Sequence, residues 1–314
     1  MVKRWWQYKL EEEESKINYK DRIQDIMSRR SSRRRFVDKI ISVSAILCVI
    51  LAVIPLGSIL IEVVRNGAPA LSINFLTQTP GAIGSGLGGI GPAIEGTLIV
   101  VGLATAIGVP IGVLAGIYLS EFAGNGIFPS SVRFFNDVLV GLPSIVIGIV
   151  GYVVLVLTIG SFSVWAGAFA LSIIMIPIVV RVTEETLRIV PNSLREGGYS
   201  LGIPKRKVVL DIVLKSAKSG VITGVMLAIA RIAGETAPLI MTILGTDLFF
   251  TSLTGPVDAL PLRIWRLASQ PYQYAHDFGW GAALILILIV VGLSFGLRLL
   301  SHKRGFKIRT IAAG

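Results

Sequence analysis

Apolar residues along the chain form six long runs separated by polar segments. A bilayer core about 30 Å thick needs roughly 20 apolar residues in a helix, and charge, Pro or Gly bounds each run. The composition agrees, because 53% apolar residues and a mean hydropathy of +0.75 exceed what the core of a soluble domain requires. We therefore predict an all-α polytopic membrane protein with six transmembrane helices, near residues 40–64, 96–119, 134–159, 164–180, 220–245 and 278–299.

Basic residues fall in alternate connections between these runs. Residues 1–39 contain twelve Lys and Arg, residues 181–219 contain eight, and residues 298–314 contain five. The positive-inside rule then predicts that both termini and the 181–219 loop are cytoplasmic. We expect a cytoplasmic tail at 1–39, a six-helix membrane domain at 40–300 with a cytoplasmic loop at 181–219, and a second cytoplasmic tail at 301–314.

The N-terminal tail and the net charge fit a membrane location. The first apolar run is too long for the core of a signal peptide and follows about 39 polar residues, so we expect no cleavage there. Arginines at the end of the tail are placed to bind anionic lipid headgroups. The net charge of +11 is therefore read as a topology signal, and no nucleic-acid partner is expected.

Motifs for nucleotides, metals and hydrolysis give no indication of an enzyme. Gly84, Gly86 and Gly89 match G-x-G-x-x-G, but they lie in an external loop without the strand and helix that such a site needs. The sequence has no G-x-x-x-x-G-K-[ST], so we do not expect this chain to hold ATP phosphates in a P-loop. His276 and His302 are too few and too separated for a metal site, and we expect no cofactor in this chain.

Small residues and prolines inside the runs predict how the helices pack. Glycines repeat every four residues in the second and fifth runs, which lets two helix backbones approach closely in lipid. Prolines inside spans favour kinks. For Pro143, in GLPSIVIG, two effects are considered: a polar gap in the span or a simple kink. The glycines are Gly108, Gly112, Gly116, Gly220 and Gly224, and the prolines are Pro110, Pro143 and Pro177.

The 181–219 loop is longer than a connection needs, and such length is usually functional. Pro191 and Pro204 divide it into segments that we expect to form short helices on the membrane surface. The loop resembles the cytoplasmic motif of ABC importer permeases, E-A-A, three residues, G, nine residues, I-x-L-P. Glu196, Gly202 and Ile212 fall at the required spacing.

The loop also departs from that motif. Gly197 and Gly198 replace the two alanines, and Lys215 stands in place of the proline. Two glycines weaken a helix by up to about 1 kcal/mol each, which either softens the coupling helix or is compensated by its surroundings. The resemblance implies that Glu196, Gly197, Gly198 and Gly202 dock on an ATPase.

A narrower resemblance covers roughly residues 90–300. The stretches GVPIGVLAGIYLSEF, IPIVVRVTEETLRIVP, ARIAGETAPLI and ALPLRIWRLASQP are similar to the phosphate-specific permeases of the PstA family. That family implies an ABC importer permease fold and a heterodimer with a PstC-like permease. It also implies two PstB-like ATPase subunits that bind ATP and Mg²⁺, and a PstS-like phosphate-binding protein.

The stretch RIAGETAPL places two opposite charges four residues apart inside the fifth run. At 1.5 Å per residue Arg231 lies roughly 18 Å beyond Lys218, near the bilayer midplane, where a charge costs at least about 2.5 kcal/mol and is usually functional. On a continuous helix, Gly220, Gly224 and Glu235 share the face of Arg231.

We predict a substrate pathway formed by Arg231, Glu235 and Thr236. A guanidinium holds an oxyanion through two parallel hydrogen bonds, and the hypothesis is that phosphate competes with Glu235 for Arg231. Two alternatives stay open at this stage, a structural ion pair that locks two helices and a proton-coupled transporter in which Glu235 carries the proton. Sulfate and molybdate are the alternative substrates.

Other polar residues carry weaker predictions. Asn136 and Asp137 are expected at the cytoplasmic interface, and Glu95 is expected to extend towards water at the outer edge of the second span. Arg263 and Arg266 lie on a predicted outer amphipathic helix, where they attract phosphate or a binding protein, or contact lipid headgroups.

Overall fold

A computed structural model of the chain describes residues 37–82, 88–124 and 126–302, with side chains through residue 296. The described residues form helices and two isolated β-bridges, which confirms the all-α fold. Most of the predicted N-terminal tail, Gly84, Gly86 and residues 303–314 lie outside the described residues. The helices are α1 (Val37–Ala70), α2 (Ile73–Thr77), α3 (Gly91–Phe122), α4 (Ile127–Gly141), α5 (Ser144–Ile159), α6 (Val164–Ile189), α7 (Asn192–Ser200), α8 (Lys205–Ala233), α9 (Ala237–Thr242), α10 (Leu260–Ala268) and α11 (Gln273–His302).

The chain divides into two compact units. The first is Met1–Glu62, of which the described part is a single helix, and the second is Val63–Gly314. Across the described residues, five helices are long and apolar enough to cross a membrane: α1, α3, α6, α8 and α11. Helices α4 and α5 raise the number to six if this bent pair is one span, which is how the six predicted spans correspond to the structure.

The third predicted span is not the continuous helix that we expected over residues 134–159. Helices α4 and α5 meet at an angle of 103°, and Leu142 between them is extended, with φ −70° and ψ 139°. Pro143 explains the break, because proline disfavours the helical conformation of the residue before it and has no N–H to donate. In contrast, Pro110 and Pro177 lie inside uninterrupted helices.

Helices α3, α6 and α8 pack through glycine. On α3, a Cβ built at Gly112 would lie 2.7 Å from the Cβ of Val179 on α6, and one at Gly116 would lie 2.6 Å from the Cβ of Thr183. A Cβ at Gly108 would meet the Met175 Sδ at 3.2 Å. The close approach buries an apolar core around Leu171 and Met175, so α3 and α6 pack as one tight pair.

The polar loop between α6 and α8 is shorter than the sequence suggested. Helix α6 continues to Ile189, and α8 begins at Lys205 directly after Pro204. Residues 205–219 therefore begin the spanning helix, and the expectation that they form a separate surface helix was wrong. Only α7 is a short helix between the two spans.

The fifth predicted span is interrupted at residues 234–236. Helix α8 ends at Ala233, and α9 begins at Ala237 with Pro238 in its first turn. Gly234 is a poor helix residue, and Pro238 supplies no N–H to continue the hydrogen-bond pattern of α8. The wheel drawn for one continuous helix therefore fails beyond Ala233, and the charged stretch lies at a helix break.

Candidate functional site

Arg231 and Glu235 form an ion pair at this break. The Arg231 Nη2 lies 3.3 Å from the Glu235 Oε1. Their environments differ, since 60% of the Arg231 side chain is exposed but only 11% of the Glu235 side chain. The Glu235 N–H donates to the Ile232 carbonyl at 3.2 Å, which fixes its backbone against the end of α8. A largely buried carboxylate thus faces a guanidinium group whose side chain is mostly exposed.

Exposed residues continue from Arg231 along α8 towards its first turns. The residues four, eight and twelve positions before Arg231 in the sequence are also exposed: Leu227, Thr223 and Ser219. This stripe carries hydroxyl groups, unlike the exposed side chains of α11, which include Leu288, Val291 and Phe295.

The small residues of α8 do not belong to that stripe. A Cβ at Gly220 would collide with the Thr186 side chain, and one at Gly224 with the Val182 side chain. The structure thus packs these two glycines against α6, while the long Arg231 side chain, which starts from a similar direction on the regular part of α8, is exposed.

The two broken spans meet at their breaks. A Cβ at Gly148 in α5 would lie 2.7 Å from the Pro238 Cα in α9 and 3.4 Å from the Ala237 carbonyl oxygen. Thr236, half-buried, directly precedes this contact. The GLPSIVIG segment therefore supports the backbone that follows Glu235. No sequence spacing predicted this pairing.

Helix α7 carries the residues that resemble the coupling motif. Glu196 and Gly197 are exposed, and a Cβ at Gly197 would have nothing within 4 Å. Gly198 is buried, and a Cβ there would lie 2.9 Å from the Val208 Cγ2. Gly202 has a φ of +71°, a left-handed conformation that favours glycine. Gly198 of the motif thus packs on α8, and Gly202 ends the turn after α7.

Arg195 joins α7 to two membrane helices, a role that the sequence analysis missed. Its Nη2 and Nε donate to the two carboxylate oxygens of Glu121 at 2.6 and 3.1 Å. It also donates to the Val190 and Leu187 carbonyls at 2.6 and 2.9 Å. The hydrogen bond to Glu121 raises the pKa of Arg195, although burial opposes the shift. The partners are 74 residues apart, so no local pattern signals the pair.

A second ion cluster lies beside this one. Glu184 on α6 accepts from the Arg133 Nε of α4 at 2.8 Å and from the Arg188 Nη2 at 2.6 Å. Arg133 also donates to the Leu119 carbonyl at 2.9 Å. Helices α3, α4, α6 and α7 are therefore connected through charged side chains at one end of the helix bundle.

The connection between α9 and α10, which the charge pattern predicts to be the outer one, contains an ion cluster around the buried residues Arg263 and Asp258. Arg263, only 6% exposed, donates to the Asp258 Oδ2 at 2.6 Å and to the Asp247 Oδ1 at 2.7 Å. Burial raises the pKa of Asp258, against the opposing effect of Arg263 and Arg266. The sequence suggested that Arg263 meets phosphate, a binding protein or lipid headgroups; in the structure its Nε and Nη2 donate to carboxylates of the protein itself. Arg266 remains partly exposed and donates to the Leu244 and Gly245 carbonyls.

The other predicted polar residues have structural partners. Glu95 Oε2 accepts from the Phe250 N–H at 3.0 Å, so Glu95 ties the outer connection to α3 and does not simply extend into water. Asn136 donates to the Pro177 carbonyl at 3.2 Å, and Asp137 lies 3.5 Å from Arg181. Among the described residues no group of His, Cys, Asp and Glu has the arrangement of a metal site.

Comparison with known proteins identifies the family. Residues 108–303 match the family model described as the binding-protein-dependent transport system inner membrane component. The phosphate transport system permease protein PstA of Pasteurella multocida is 41% identical over 267 residues, which cover 85% of this chain and 95% of that protein. The chain belongs to the PstA family of these membrane components. The probable PstA of Methanocaldococcus jannaschii is 38% identical over 79% of this chain and 88% of its own length.

Solved structures share the fold of this permease. A bacterial alginate ABC transporter chain matches with a TM-score of 0.62 at 15% identity, over 85% of this chain and 95% of that chain. A chain of the inward-facing MetNI methionine ABC transporter matches with a TM-score of 0.55 at 16% identity, over 68% and 94%. These likenesses establish the ABC importer permease fold, and the permease is a multi-pass membrane protein.

Proposed function

We propose that this chain is the permease subunit of an ATP-driven importer of inorganic phosphate, and that Arg231 meets the anion on its way through the membrane. The observation that carries the proposal is the ion pair at the end of α8, with Arg231 60% exposed and Glu235 11% exposed. The PstA relatives supply the substrate class.

The chemistry of this pair suits a transient anion site. A guanidinium stays charged at physiological pH and offers two parallel donors to an oxyanion. Glu235 neutralises Arg231 while no anion is bound, and phosphate displaces it because the exposed side of the guanidinium is accessible. The weaker 3.3 Å contact favours such exchange over the 2.6 Å ion pairs elsewhere in the chain. Thr236 follows Glu235 in the sequence and is the polar residue adjacent to the site where this exchange would occur.

The family supports a division of labour between subunits. A PstC-like permease contributes the other half of the pathway, and a PstS-like protein delivers phosphate from outside. Two PstB-like ATPase subunits bind ATP and Mg²⁺ and contact α7 through Glu196 and Gly197, which have open space in front of them. In this arrangement both termini and α7 are cytoplasmic, and the present chain is non-catalytic.

The test is phosphate uptake into proteoliposomes that contain the complete complex. Arg231→Ala is expected to lower uptake at least about tenfold, because a charge-assisted hydrogen bond contributes about 1.5–3 kcal/mol. Arg231→Lys keeps the charge but loses the paired donors, so we expect an intermediate loss and weaker discrimination of phosphate from sulfate.

Arg181→Ala is the matched control, since Arg181 is 58% exposed and its partners are surface carboxylates. Its uptake is expected to equal that of the unmodified complex. Normal uptake by an assembled Arg231→Ala complex would rule out the pathway role. Uptake that resists vanadate and needs no ATP would instead favour a proton-coupled transporter.

A further inference from the structure

The end of α3 receives contacts from three other helices. Its last residues, Tyr118–Phe122, form a wide π-helical turn. Within this turn the Leu119 carbonyl accepts from Arg133, the Glu121 carboxylate accepts from Arg195, and the Phe122 ring lies 5.1 Å from the Lys205 Nζ. Helices α4, α7 and α8 therefore all contact one turn of α3.

The Glu121–Arg195 ion pair is more buried than the ion pairs around it, including Arg133–Glu184, whose side chains are 32% and 10% exposed. The Glu121 and Arg195 side chains are only 5% and 14% exposed, and both carboxylate oxygens are engaged. The side chains of the Arg181–Glu185 and Lys215–Asp211 pairs are between 58% and 70% exposed, and such surface pairs contribute little to stability. A buried pair with two parallel hydrogen bonds fixes distance and direction between the elements that it joins.

Arg195 is also adjacent to the exposed side of α7. The next residue, Glu196, faces open solvent, and Leu194 and Tyr199 are 43% and 42% exposed. On the inner side, Arg195 binds Glu121 of α3, the Leu187 carbonyl in the last turn of α6 and the carbonyl of Val190, the residue after α6. Arg195 thus connects the exposed side of α7 to both α3 and α6.

We propose that the Glu121–Arg195 ion pair is the contact that transmits movement of α7 to helices α3 and α6, which are tightly packed on each other. This inference rests on the proposed function, because it assumes that an ATPase moves α7. From α6 the displacement passes to α8 through the contacts of Gly220 and Gly224, and α8 carries Arg231 at its far end. Glu121 and Arg195 are positioning residues and do not touch the anion.

The test measures the number of ATP molecules hydrolysed per phosphate imported by the reconstituted complex. Glu121→Gln keeps the shape of the side chain and removes its charge. We expect an assembled complex that still hydrolyses ATP, with an ATP-to-phosphate ratio raised about 3- to 10-fold, in the range of known coupling effects. A residue that only stabilised the fold would lower assembly and leave the ratio of the remaining complexes unchanged.

Glu185→Gln is the matched control, because it removes the same charge from an exposed pair with Arg181. Its ratio is expected to equal that of the unmodified complex. Arg195→Lys is the milder variant if Glu121→Gln does not assemble, and a smaller rise is expected because lysine cannot bind both carboxylate oxygens.

An unchanged ratio in an assembled variant would overturn the inference, while the unmodified complex still imported phosphate with ATP. A different result, an unmodified complex without ATP-dependent phosphate uptake, would contradict the proposed function itself. The two failures are therefore distinguishable in one set of measurements.

Discussion

Gly224 shows how one residue decides the distance between two helices. The Val182 side chain occupies the place that a Cβ at Gly224 would take. In lipid, where no hydrophobic force drives helices together, such close backbone contacts supply much of the association energy. The repeat of glycines in the sequence indicated close packing, but only the structure shows that the partner helix is α6.

Gly224→Ala is expected to destabilise the permease by about 1–3 kcal/mol, the usual cost of overpacking. Thermal unfolding of the purified chain in detergent measures this as a lower midpoint. Gly102→Ala on α3 is the control, because a Cβ there would have nothing within 4 Å. An equal effect of both substitutions would contradict the packing explanation.

Charged residues at the single-residue scale divide into two kinds. Arg263 and Arg195 are buried and held by carboxylates at 2.6 Å, whereas Arg231 is mostly exposed and paired at 3.3 Å. The sequence drew attention to Arg231 because its neighbours are apolar. It gave no such signal for Arg195, whose carboxylate partner Glu121 lies in another helix.

At the scale of single helices, the main feature is that two of the predicted membrane spans are broken. Proline and glycine end α4 and α8 inside the membrane domain, and the halves that follow, α5 and α9, pack on each other through Gly148 and Pro238. Broken helices at membrane depth are tolerated where protein or a cavity surrounds them. The break in α8 places Glu235 outside regular helix, so its position depends on the α5–α9 contact.

Gly148→Ala tests this dependence. A Cβ 2.7 Å from the Pro238 Cα must push α5 and α9 apart, which moves Glu235 relative to Arg231. We expect uptake to fall at least about threefold, since overpacking costs about 1–3 kcal/mol, while the complex still assembles. Gly141→Ala in the same segment has open space around its Cβ and is expected to leave uptake unchanged.

At the scale of the whole molecule, the distribution of charge predicts the orientation of the bundle in the membrane. The end that carries Glu121, Glu184 and Arg195 also contains the basic segments predicted to be cytoplasmic. At the predicted outer end, Arg263 is paired with the fully buried Asp258 and with Asp247, whose side chain is 64% exposed.

Cysteine labelling checks this orientation. Cys48 is the sole cysteine in the sequence, so Cys48→Ala provides a clean background. In intact cells a membrane-impermeant maleimide is expected to label Thr251→Cys, an exposed outer position, but not Ser193→Cys on α7. Ser193→Cys should react only after permeabilisation. The reverse pattern would show that the bundle is inverted.

The sequence by itself determined the class of fold, the approximate spans and the candidate pair Arg231 and Glu235. Hydrophobic run lengths and charges in apolar surroundings are local properties, and a bilayer imposes them on each segment separately. The family resemblance from the motifs was likewise confirmed by the relatives.

Only the tertiary structure decided which charged side chains are paired inside the protein and which remain exposed. Arg263 is held by Asp258, Arg195 is held by Glu121, and Arg231 stays exposed. The contact between α5 and α9 also shows that the bend at Pro143 and the break after Ala233 are connected: the two helices that follow them pack on each other. These facts depend on contacts between residues far apart in the chain, and the periodicity of a single helix contains no information about its partner.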